Sequence, residues 1–387
     1  MAVYILSGAR TAFGSFMGGL AGVPATKLGA VAIQGALAKS GLSKDRVDEV
    51  FMGNVVQAGV GQAPARQAAL FAGLPEAVPC TTINKVCGSG LQSVILAARS
   101  IQSGENQVVI AGGMENMSLA PHLLPNSRTG FKFGSSEIKD SMQWDGLWDV
   151  YTDRPMGNCA EECVTKYSMS RAEQDAFAIE SFKRAQAAVK EGAFKNEIVA
   201  VPVPAKGGSV DLVEDEGPFK ANFEKIPGLR PAFDKNGTIT AANASTINDG
   251  AAALVLGGDA FAATAKYKIV SWASHAQNPT WFTTAPVGAI QKALEKAKLT
   301  TEQVDLWEIN EAFAAVTMAA MKELKLPHEK VNTLGGAVAI GHPIGASGAR
   351  ILLTLTTAMD RKTAKYGCAA ICIGGGEALA VVIEKVR

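Results

Sequence analysis

Several residue types are scarce in this sequence, and each shortage excludes a class of protein. The chain has 387 residues, of which 6% are aromatic, and it contains only 4 histidines and 6 cysteines. Six cysteines without a dense spacing pattern do not form the disulfide framework of a small secreted domain, so we expect reduced thiols. Lys and Arg total 37 against 36 Asp and Glu, which leaves a formal charge of +1 and no general surface for nucleic acid or membranes.

Long hydrophobic runs are missing as well. Even Ala251–Gly257 has the length of a strand rather than of a transmembrane helix. The N-terminus runs directly into an apolar segment, Val3–Leu6, with no signal or transit peptide ahead of it. We therefore expect a cytoplasmic protein, or a mitochondrial one whose targeting segment precedes this numbering.

Glycine and apolar residues are abundant. The sequence contains 40 glycines, and 48% of its residues are hydrophobic. Short apolar segments alternate with helical patterns, which is typical of α/β proteins whose sheets are covered by helices on both faces.

Two ordered similarities indicate an internal duplication. Ala36–Leu42 resembles Ala293–Leu299, and further along Val108–Glu115 resembles Ala370–Glu377. Both pairs are separated by nearly the same number of residues, which a shared helical period alone would not produce. Each half is therefore predicted to run helix, strand, glycine-rich turn, helix and an apolar strand that ends in glycines.

The region between the halves has a different composition. From about residue 118 to 240 the sequence is polar and contains a charged helical pattern, Arg171–Gly192. The irregular stretch Lys206–Pro231 is longer than a simple connection requires. We predict an N-terminal half at residues 1–117, completed by about 246–265, an inserted loop domain at 118–245, and a C-terminal half at 266–387.

The first candidate catalytic residue is a cysteine in a glycine-rich turn. Residues 84–90 read Asn-Lys-Val-Cys-Gly-Ser-Gly, and a helical pattern, Leu91–Ile101, follows. Free N–H groups and the positive dipole end at a helix start favour a thiolate at Cys87. Without side chains at Gly88 and Gly90, a substrate carbonyl could approach the backbone closely. Taken alone, the pattern fits a buried structural cysteine equally well.

The second half contains three further polar candidates. Asn310 follows the predicted strand Leu306–Ile309, and Cys372 lies within an apolar strand. His342 is predicted to follow a strand and to precede a helix that begins near Ala346. Strand ends are where open α/β sheets bind ligands. Each residue also has a structural alternative. Asn310 could cap a helix, Cys372 could be a small core residue, and His342 could be a hydrogen-bonded core histidine.

Together these motifs resemble those of the thiolase family, over essentially the whole chain. The matching segments are Asn84–Gly90, Asn243–Ser245, Asn310–Phe313, Gly341–Pro343 and Cys372–Gly376. The resemblance implies an α/β thiolase fold, in which two duplicated βαβαβαββ halves form a five-layer αβαβα core with an inserted, CoA-binding loop domain. It also implies reversible acyl transfer through a cysteine, which cleaves acetoacetyl-CoA or joins two acetyl-CoA by Claisen condensation.

The family pattern implies a role for each candidate. Cys87 would accept the acyl group with the help of His342, and Cys372 would move a proton at the α-carbon. Asn310 would hold a water that, with His342, stabilises the enolate oxygen. The backbone N–H groups of Cys87 and Gly374 would bind the oxyanion at the other carbonyl. No prosthetic group is implied.

Coenzyme A is the implied carrier of the acyl groups. Ser245 would contact its pantetheine arm, and Lys220 and Lys225 are candidates for its phosphates, with solvated loop charges as the alternative. The apolar walls would be formed by Met156, Phe233, Phe282, Ala312 and Phe313.

The resemblance is closest to the acetoacetyl-CoA branch, in particular to its potassium-activated mitochondrial type. Tyr151 matches a tyrosine of that type, and Phe282 matches a phenylalanine that lines the acyl pocket and could admit a 2-methyl group. Pro155 departs from the pattern, because short-chain enzymes usually have His-Met-Gly at residues 155–157. The broader-chain degradative branch also has proline at the first of these positions. A potassium ion beside coenzyme A would be bound by Tyr151 and by the carbonyls of Ala241, Ala242, Ala244 and Val338.

Other interpretations remain open at this point. They are a 3-ketoacyl-CoA thiolase of broader chain length, a non-catalytic acyl-CoA or lipid carrier, and a decarboxylating condensing enzyme, which would need a second histidine near its cysteine. The spacing of Cys159 and Cys163 suits a metal site, but no histidine lies near, so we predict burial. The resemblance implies a homotetramer, a dimer of dimers that pairs through an edge strand at Val108–Ala111.

Overall fold

The structure is a computed structural model that describes residues 1–205 and 207–387. The strands are β1 (Val3–Thr11), β2 (Gly14–Ser15), β3 (Glu49–Gly53), β4 (Cys80–Ile83), β5 (Val108–Asn116), β6 (His122–Leu123), β7 (Lys139–Asp140), β8 (Trp148–Asp149), β9 (Arg154–Pro155), β10 (Ile198–Val199), β11 (Val201–Ala205), β12 (Gly208–Leu212), β13 (Asn248–Gly257), β14 (Tyr267–Ala276), β15 (Leu306–Ile309), β16 (Tyr366–Ile373) and β17 (Glu377–Lys385). The α-helices are α1 (Ala25–Ser40), α2 (Pro64–Phe71), α3 (Ser89–Ser103), α4 (Met156–Tyr167), α5 (Arg171–Lys190), α6 (Ala285–Ala297), α7 (Ala314–Leu324), α8 (Ala337–Ile340) and α9 (Ser347–Lys362).

One mixed sheet runs through the molecule in the order β15-β16-β17-β14-β1-β13-β5-β3-β4. The antiparallel pairing of β1 with β14 joins two similar halves. The first half has the predicted order β1, α1, β3, α2, β4, α3, β5, β13, and the second repeats it from β14 to β17. In the second half, the strand that would correspond to β4 is reduced to a single bridge between Trp307 and Val331.

Side chains alternate along each strand, so the two faces of the sheet pack against different helices and the molecule has five layers. In β5, Val109 and Ala111 face the central helices, whereas Val108 and Ile110 face α1 and α2. The strand β17 alternates in the same way between the central helices and the outer helix α6. Because α3 and α9 pack against each other between the two half-sheets, the predicted αβαβα core is confirmed.

Helix boundaries follow the sequence signals closely. The helix α1 ends at Gly41, whose φ of 69° is left-handed, as its glycine predicts. The helix α5 begins with a reciprocal capping box in which Ser170 and Glu173 satisfy each other's backbone N–H groups. No helix in the described part of the chain is long and apolar enough to span a membrane.

One predicted strand is wrong. The residues before His342 form the single helical turn α8 rather than a strand. They lie between Gly335 and Gly341, whose φ values of 85° and 113° bend the chain at both ends. All four residues of α8 are buried, and a short buried apolar run has no period that separates strand from helix.

The predicted edge strand is also wrong. Val108–Ala111 belongs to β5, which is fully buried and pairs with β13 on one side and β3 on the other. The sheet ends instead at β4 and β15.

The outer side of β15 is capped by one asparagine. Asn332 donates its backbone N–H to the carbonyl of Trp307 at 2.8 Å. Its side-chain oxygen accepts the N–H of Ile309, and its side-chain amide donates to the carbonyl of Ile309, both at 2.8 Å. The asparagine thus satisfies the groups that a further strand would use.

Between β5 and β13 the chain forms α4, α5 and small antiparallel pairs of short strands. A buried arginine of β1, Arg10, ties this inserted region to the sheet through ion pairs with Glu197 and Asp215, both at 2.7 Å. The residue-level domain boundaries given above stay a prediction.

Candidate active site

The turn that carries Cys87 is held in a strained shape. It connects β4 to α3, and Val86 has a φ of 45°, which a β-branched residue rarely adopts. The hydroxyl of Ser89 fixes this shape, because it accepts the N–H of Lys85 at 2.8 Å and donates to the carbonyl of Val86 at 2.7 Å. The turn places Cys87 two residues before the first residue of α3.

Two glycines allow three segments to converge at this turn. A β-carbon on Gly88 would lie 2.4 Å from Cδ1 of Ile373, at the end of β16. A β-carbon on Gly90 would lie 2.8 Å from the backbone nitrogen of Ala349, in the first turn of α9. At Gly90 the neighbour is backbone and cannot shift, so glycine is required there, whereas at Gly88 a side chain would have to displace Ile373. The start of α3, the start of α9 and the end of β16 therefore meet at one point.

Two backbone N–H groups influence the Cys87 thiol. Those of Gly374 and of Cys87 itself, the predicted oxyanion donors, lower the pKa of this half-buried thiol. Burial outweighs them and raises the pKa to about 11. The expectation of a resting thiolate is therefore wrong: the helix start favours the anion, but removal from water favours the thiol more strongly.

Cys372 faces Cys87 from the other half of the molecule. It lies in β16 and is buried, and burial together with the charge of a Cys87 thiolate raises its pKa well above the usual value. At neutral pH both sulfurs are thiols, so either one needs a nearby base before it can act as a nucleophile or a base.

His342 presents one free nitrogen. Its Nδ1 lies 2.6 Å from Oγ of Ser347, whose hydroxyl donates to the carbonyl of Pro343 at 2.9 Å. Because that hydroxyl proton is used, Oγ must accept a proton from Nδ1, which leaves a lone pair on Nε2. Burial lowers the pKa of His342 to about 3, so the ring is neutral and Nε2 can accept a proton.

Asn310 is a further buried polar group of this site with free atoms. It follows β15, and its backbone N–H donates to the carbonyl of Ala370 at 2.9 Å, in the strand that carries Cys372. Among the described residues, neither its side-chain oxygen and nitrogen nor Nε2 of His342 has a hydrogen-bond partner. Buried polar atoms of this kind are costly unless a ligand or water uses them, which marks a binding site.

Sequence reasoning missed a buried carboxylate that supports the His342 loop. Glu115, at the end of β5, accepts the N–H of Gly345 at 2.9 Å and those of Val55 and Val56 at 3.0 and 3.1 Å. Burial raises its pKa to about 7. An acidic residue inside an otherwise apolar strand was the signal available in the sequence. Ser347 was missed too, since a serine at a helix start has many structural uses.

The predicted apolar walls form one cluster with Cys372. The ring of Phe313 lies edge-on to Phe233 and Phe282, with centroids 5.9 and 6.2 Å apart. The backbone of Ser245 is attached to the same wall, because its N–H donates to the carbonyl of Ala312 at 2.9 Å. The remaining predicted wall residue, Met156, packs at the edge of the cluster and lies near Gly374.

The residues predicted to contact the CoA phosphates and a potassium ion have few described contacts with the rest of the site. Tyr151 is 68% exposed and lies beside the glycine turn, since a β-carbon on Gly375 would be 3.8 Å from its Oη. Lys220 and Lys225 are exposed, and Lys220 lies 3.7 Å from Glu216. No described contact joins either lysine to the aromatic cluster. Of the predicted carbonyl donors, Ala241 is exposed, and the buried ones are Ala242, Ala244 and Val338.

A transition-metal centre finds no support in the described residues, where no three His, Cys, Asp or Glu side chains cluster suitably. Cys159 and Cys163 are both fully buried in α4, as predicted.

Comparison with known proteins identifies the family of this chain. Residues 3–259 match the family described as "Thiolase, N-terminal domain", and residues 263–385 match "Thiolase, C-terminal domain". The chain belongs to the thiolase family.

Individual relatives cover the chain from end to end. An acetyl-CoA acetyltransferase of Schizosaccharomyces pombe is 51% identical, covering 99% of each chain, and one of Cupriavidus necator is 50% identical with the same coverage. A mitochondrial acetyl-CoA acetyltransferase of Rattus norvegicus is 49% identical over 99% of this chain and 91% of the relative. A crystal structure of a thiolase from Ascaris suum in complex with coenzyme A is 44% identical and superposes with a TM-score of 0.95, covering 100% of each chain.

Proposed function

We propose that the protein is an acetyl-CoA C-acetyltransferase, an acyltransferase that interconverts two acetyl-CoA with acetoacetyl-CoA and CoA. One observation carries the proposal: the turn that contains the Cys87 thiol meets the end of β16, the strand that contains a second, buried thiol, Cys372. A carrier that only binds acyl-CoA needs neither sulfur. The names of the full-length relatives support the same activity.

The first half-reaction acylates Cys87. Nε2 of His342 accepts the thiol proton of Cys87 while the sulfur attacks the thioester carbon of acetyl-CoA. The N–H groups of Cys87 and Gly374 stabilise the oxyanion that forms. As the carbon–sulfur bond of acetyl-CoA breaks, Cys372 gives its proton to the leaving CoA sulfur. CoA departs as a thiol, and Cys372 is left as a thiolate.

The second half-reaction forms the carbon–carbon bond. The Cys372 thiolate removes an α-proton from a second acetyl-CoA, and the enolate oxygen is stabilised by His342, now protonated, and by a water on Asn310. The carbanion attacks the acetyl group on Cys87. The released Cys87 thiolate takes back its proton from His342, so every group returns to its starting state, and the reverse sequence is thiolysis.

Acyl length and potassium belong to the same proposal. The short-chain, potassium-activated type is supported by Tyr151 beside Gly375 and by the aromatic wall around Phe313. A broader-chain 3-ketoacyl-CoA thiolase is favoured by Pro155 at the start of α4. A series of specific activities over 3-ketoacyl-CoA chain lengths, with a 2-methyl substrate, in potassium and in sodium, decides between them. Highest activity on acetoacetyl-CoA supports the proposal, and highest activity on longer chains supports the alternative.

We also propose a homotetramer, built as a dimer of dimers. Within the described residues β4 pairs with β3 alone, so the sheet edge beside the Cys87 turn can pair with a second copy. The inserted region exposes the apolar side chains of Phe131, Phe133 and Ile138, which a second contact would cover. A monomer by sedimentation at micromolar concentration would contradict this. Relatives include cytosolic and mitochondrial forms.

A further inference from the structure

We propose that the ion pair between Lys85 and Glu377 is a positioning device, which holds the oxyanion-binding N–H of Gly374 at a fixed distance from Cys87. The inference rests on the acyl transfer proposed above. It concerns two charged residues that have no role in that mechanism and that come from different halves of the duplicated fold.

The two residues stand at the bases of the two turns that form the oxyanion site. Lys85 precedes Val86 and Cys87 in the nucleophile turn, and its own N–H is fixed by Ser89. Glu377 begins β17, directly after the turn of three glycines that starts with Gly374. A salt bridge between their side chains therefore connects the two N–H donors across the site.

The turn of three glycines has a flexible backbone, so a contact from outside the turn can determine its position. Gly375 and Gly376 have φ values of 92° and 85°, and three consecutive glycines have the greatest backbone freedom of any sequence. On its far side the carbonyl of Gly376 accepts the N–H of Gln277 at 2.9 Å, and Glu377, which follows the turn, pairs with Ile373 and Ala276 in the sheet. On the Cys87 side, the Lys85–Glu377 ion pair connects the glycine turn to the turn that contains Cys87.

Strand geometry fixes the direction of Glu377. Its backbone pairs with Ile373, and side chains alternate along β17, so Glu377 lies on the same face as Leu379. That face meets the start of α3, because a β-carbon on Gly88 would lie 2.4 Å from Ile373 and 3.2 Å from Leu379. Glu377 therefore points at the nucleophile turn.

The pair lies at the rim of the site. The side chains of Lys85 and Glu377 are 25% and 37% exposed, so water and salt screen them only in part. We expect a geometric effect on catalysis and little effect on global stability. Loss of a whole oxyanion donor costs about 100- to 1,000-fold in turnover, so a displaced donor should cost less, about 10-fold.

A double-mutant cycle with a charge swap tests the inference. We would compare Glu377→Gln, Lys85→Met, the double variant Lys85→Met/Glu377→Gln and the swapped variant Lys85→Glu/Glu377→Lys. The readouts are the single-turnover rate of Cys87 acetylation by acetyl-CoA, KM, and Tm. Glu384→Gln, which breaks the Lys365–Glu384 pair (3.6 Å) at the far end of β17, is the matched control.

Positioning predicts that each single variant acetylates Cys87 about 10-fold more slowly at nearly unchanged KM and Tm. The double variant should be no slower than either single one, the swapped variant should recover most of the rate, and Glu384→Gln should match wild type. Raised KM with unchanged rate would overturn the proposal, because it would mean that Lys85 binds substrate directly. Single-variant losses that multiply in the double variant would overturn it as well.

The same data separate this inference from the function on which it rests. If wild type acquires no acetyl group on Cys87, the proposed function fails. If wild type and Glu377→Gln acquire it at the same rate, only the positioning role fails.

Discussion

Ser347 determines which nitrogen of His342 carries the proton. Its Oγ lies 2.6 Å from Nδ1 and at the same time donates to the carbonyl of Pro343, so it can only accept from the ring. The free nitrogen of His342 is therefore a proton acceptor, which is what a protonated Cys87 thiol requires.

Replacing this serine should impair acylation. In Ser347→Ala the imidazole is free to place its proton on Nε2, which can then no longer accept the proton of Cys87. We expect the rate of Cys87 acetylation to fall roughly 100-fold with little change in KM, and Ser347→Thr to restore it. Pre-steady-state acetylation across a pH series would measure both. Equal rates in Ser347→Ala and wild type would show that the hydroxyl has no such role.

Cys87 should be the site of the covalent intermediate. Mass spectrometry after incubation with acetyl-CoA should find one acetyl group on wild type, and none on Cys87→Ser, because a serine alkoxide is far harder to form. Cys80→Ser, which alters the half-buried cysteine of the neighbouring β4, should keep the adduct. An adduct mapped to Cys372 would exchange the two assigned roles.

Cys372 should move the α-proton. The variant Cys372→Ala should still acetylate Cys87 but should not exchange the α-hydrogens of a bound acyl-CoA with deuterium from the solvent. Cys368→Ala, four residues earlier on the same face of β16 and buried in the cluster that includes α6, should exchange normally. Normal deuterium uptake in Cys372→Ala would require another base.

Buried His342 should make the fold sensitive to acid. Its pKa is lowered from 6.5 to about 3 on folding, so the stability it permits is present above pH 6.5 and is lost as the pH falls toward 3. At pH 5 the unfolded chain binds a proton that the folded chain does not, a loss on the order of 2 kcal/mol. Denaturant unfolding at pH 8 and pH 5 should show this extra loss in wild type relative to His342→Asn. Parallel losses would contradict it.

Tyr151 should contribute to a potassium response. Tyr151→Phe removes one oxygen ligand, and a loss of about 1.4 kcal/mol would weaken the apparent potassium affinity on the order of tenfold. Activity titrated with potassium chloride at constant ionic strength would measure it, with the distant Tyr366→Phe as control. An unchanged response in Tyr151→Phe would misplace the ion site, and no response in wild type would favour the broader-chain alternative.

The sequence predicted the structural features that depend on local residue chemistry and on the periodic spacing of apolar residues. The turn around Cys87, the strand before Asn310, the end of α1 at Gly41 and the layered α/β architecture all follow from glycine positions and alternating apolar residues. Five short motifs identified the family because their residue types and order are jointly specific.

What the sequence could not predict depends on distant partners. The interior position of Val108–Ala111 is a matter of strand order, which no local pattern encodes. The raised pKa of Cys87 arises from burial, which only the assembled fold defines. Glu115 and Gly345 lie far apart in the chain, so their hydrogen bond leaves no local trace.

The capping of β15 by Asn332 makes the two ends of the sheet unequal. A sheet that is open at both ends can add copies indefinitely and grow into a fibre. Here one end is closed by Asn332, and within the described residues β4 is the end that remains as a backbone template. If two chains pair through β4, the unpaired edge of each chain is satisfied by the other, so association through this strand stops at a dimer. A substitution at Asn332 would leave the N–H and the carbonyl of Ile309 without their side-chain partners and so reopen part of this end.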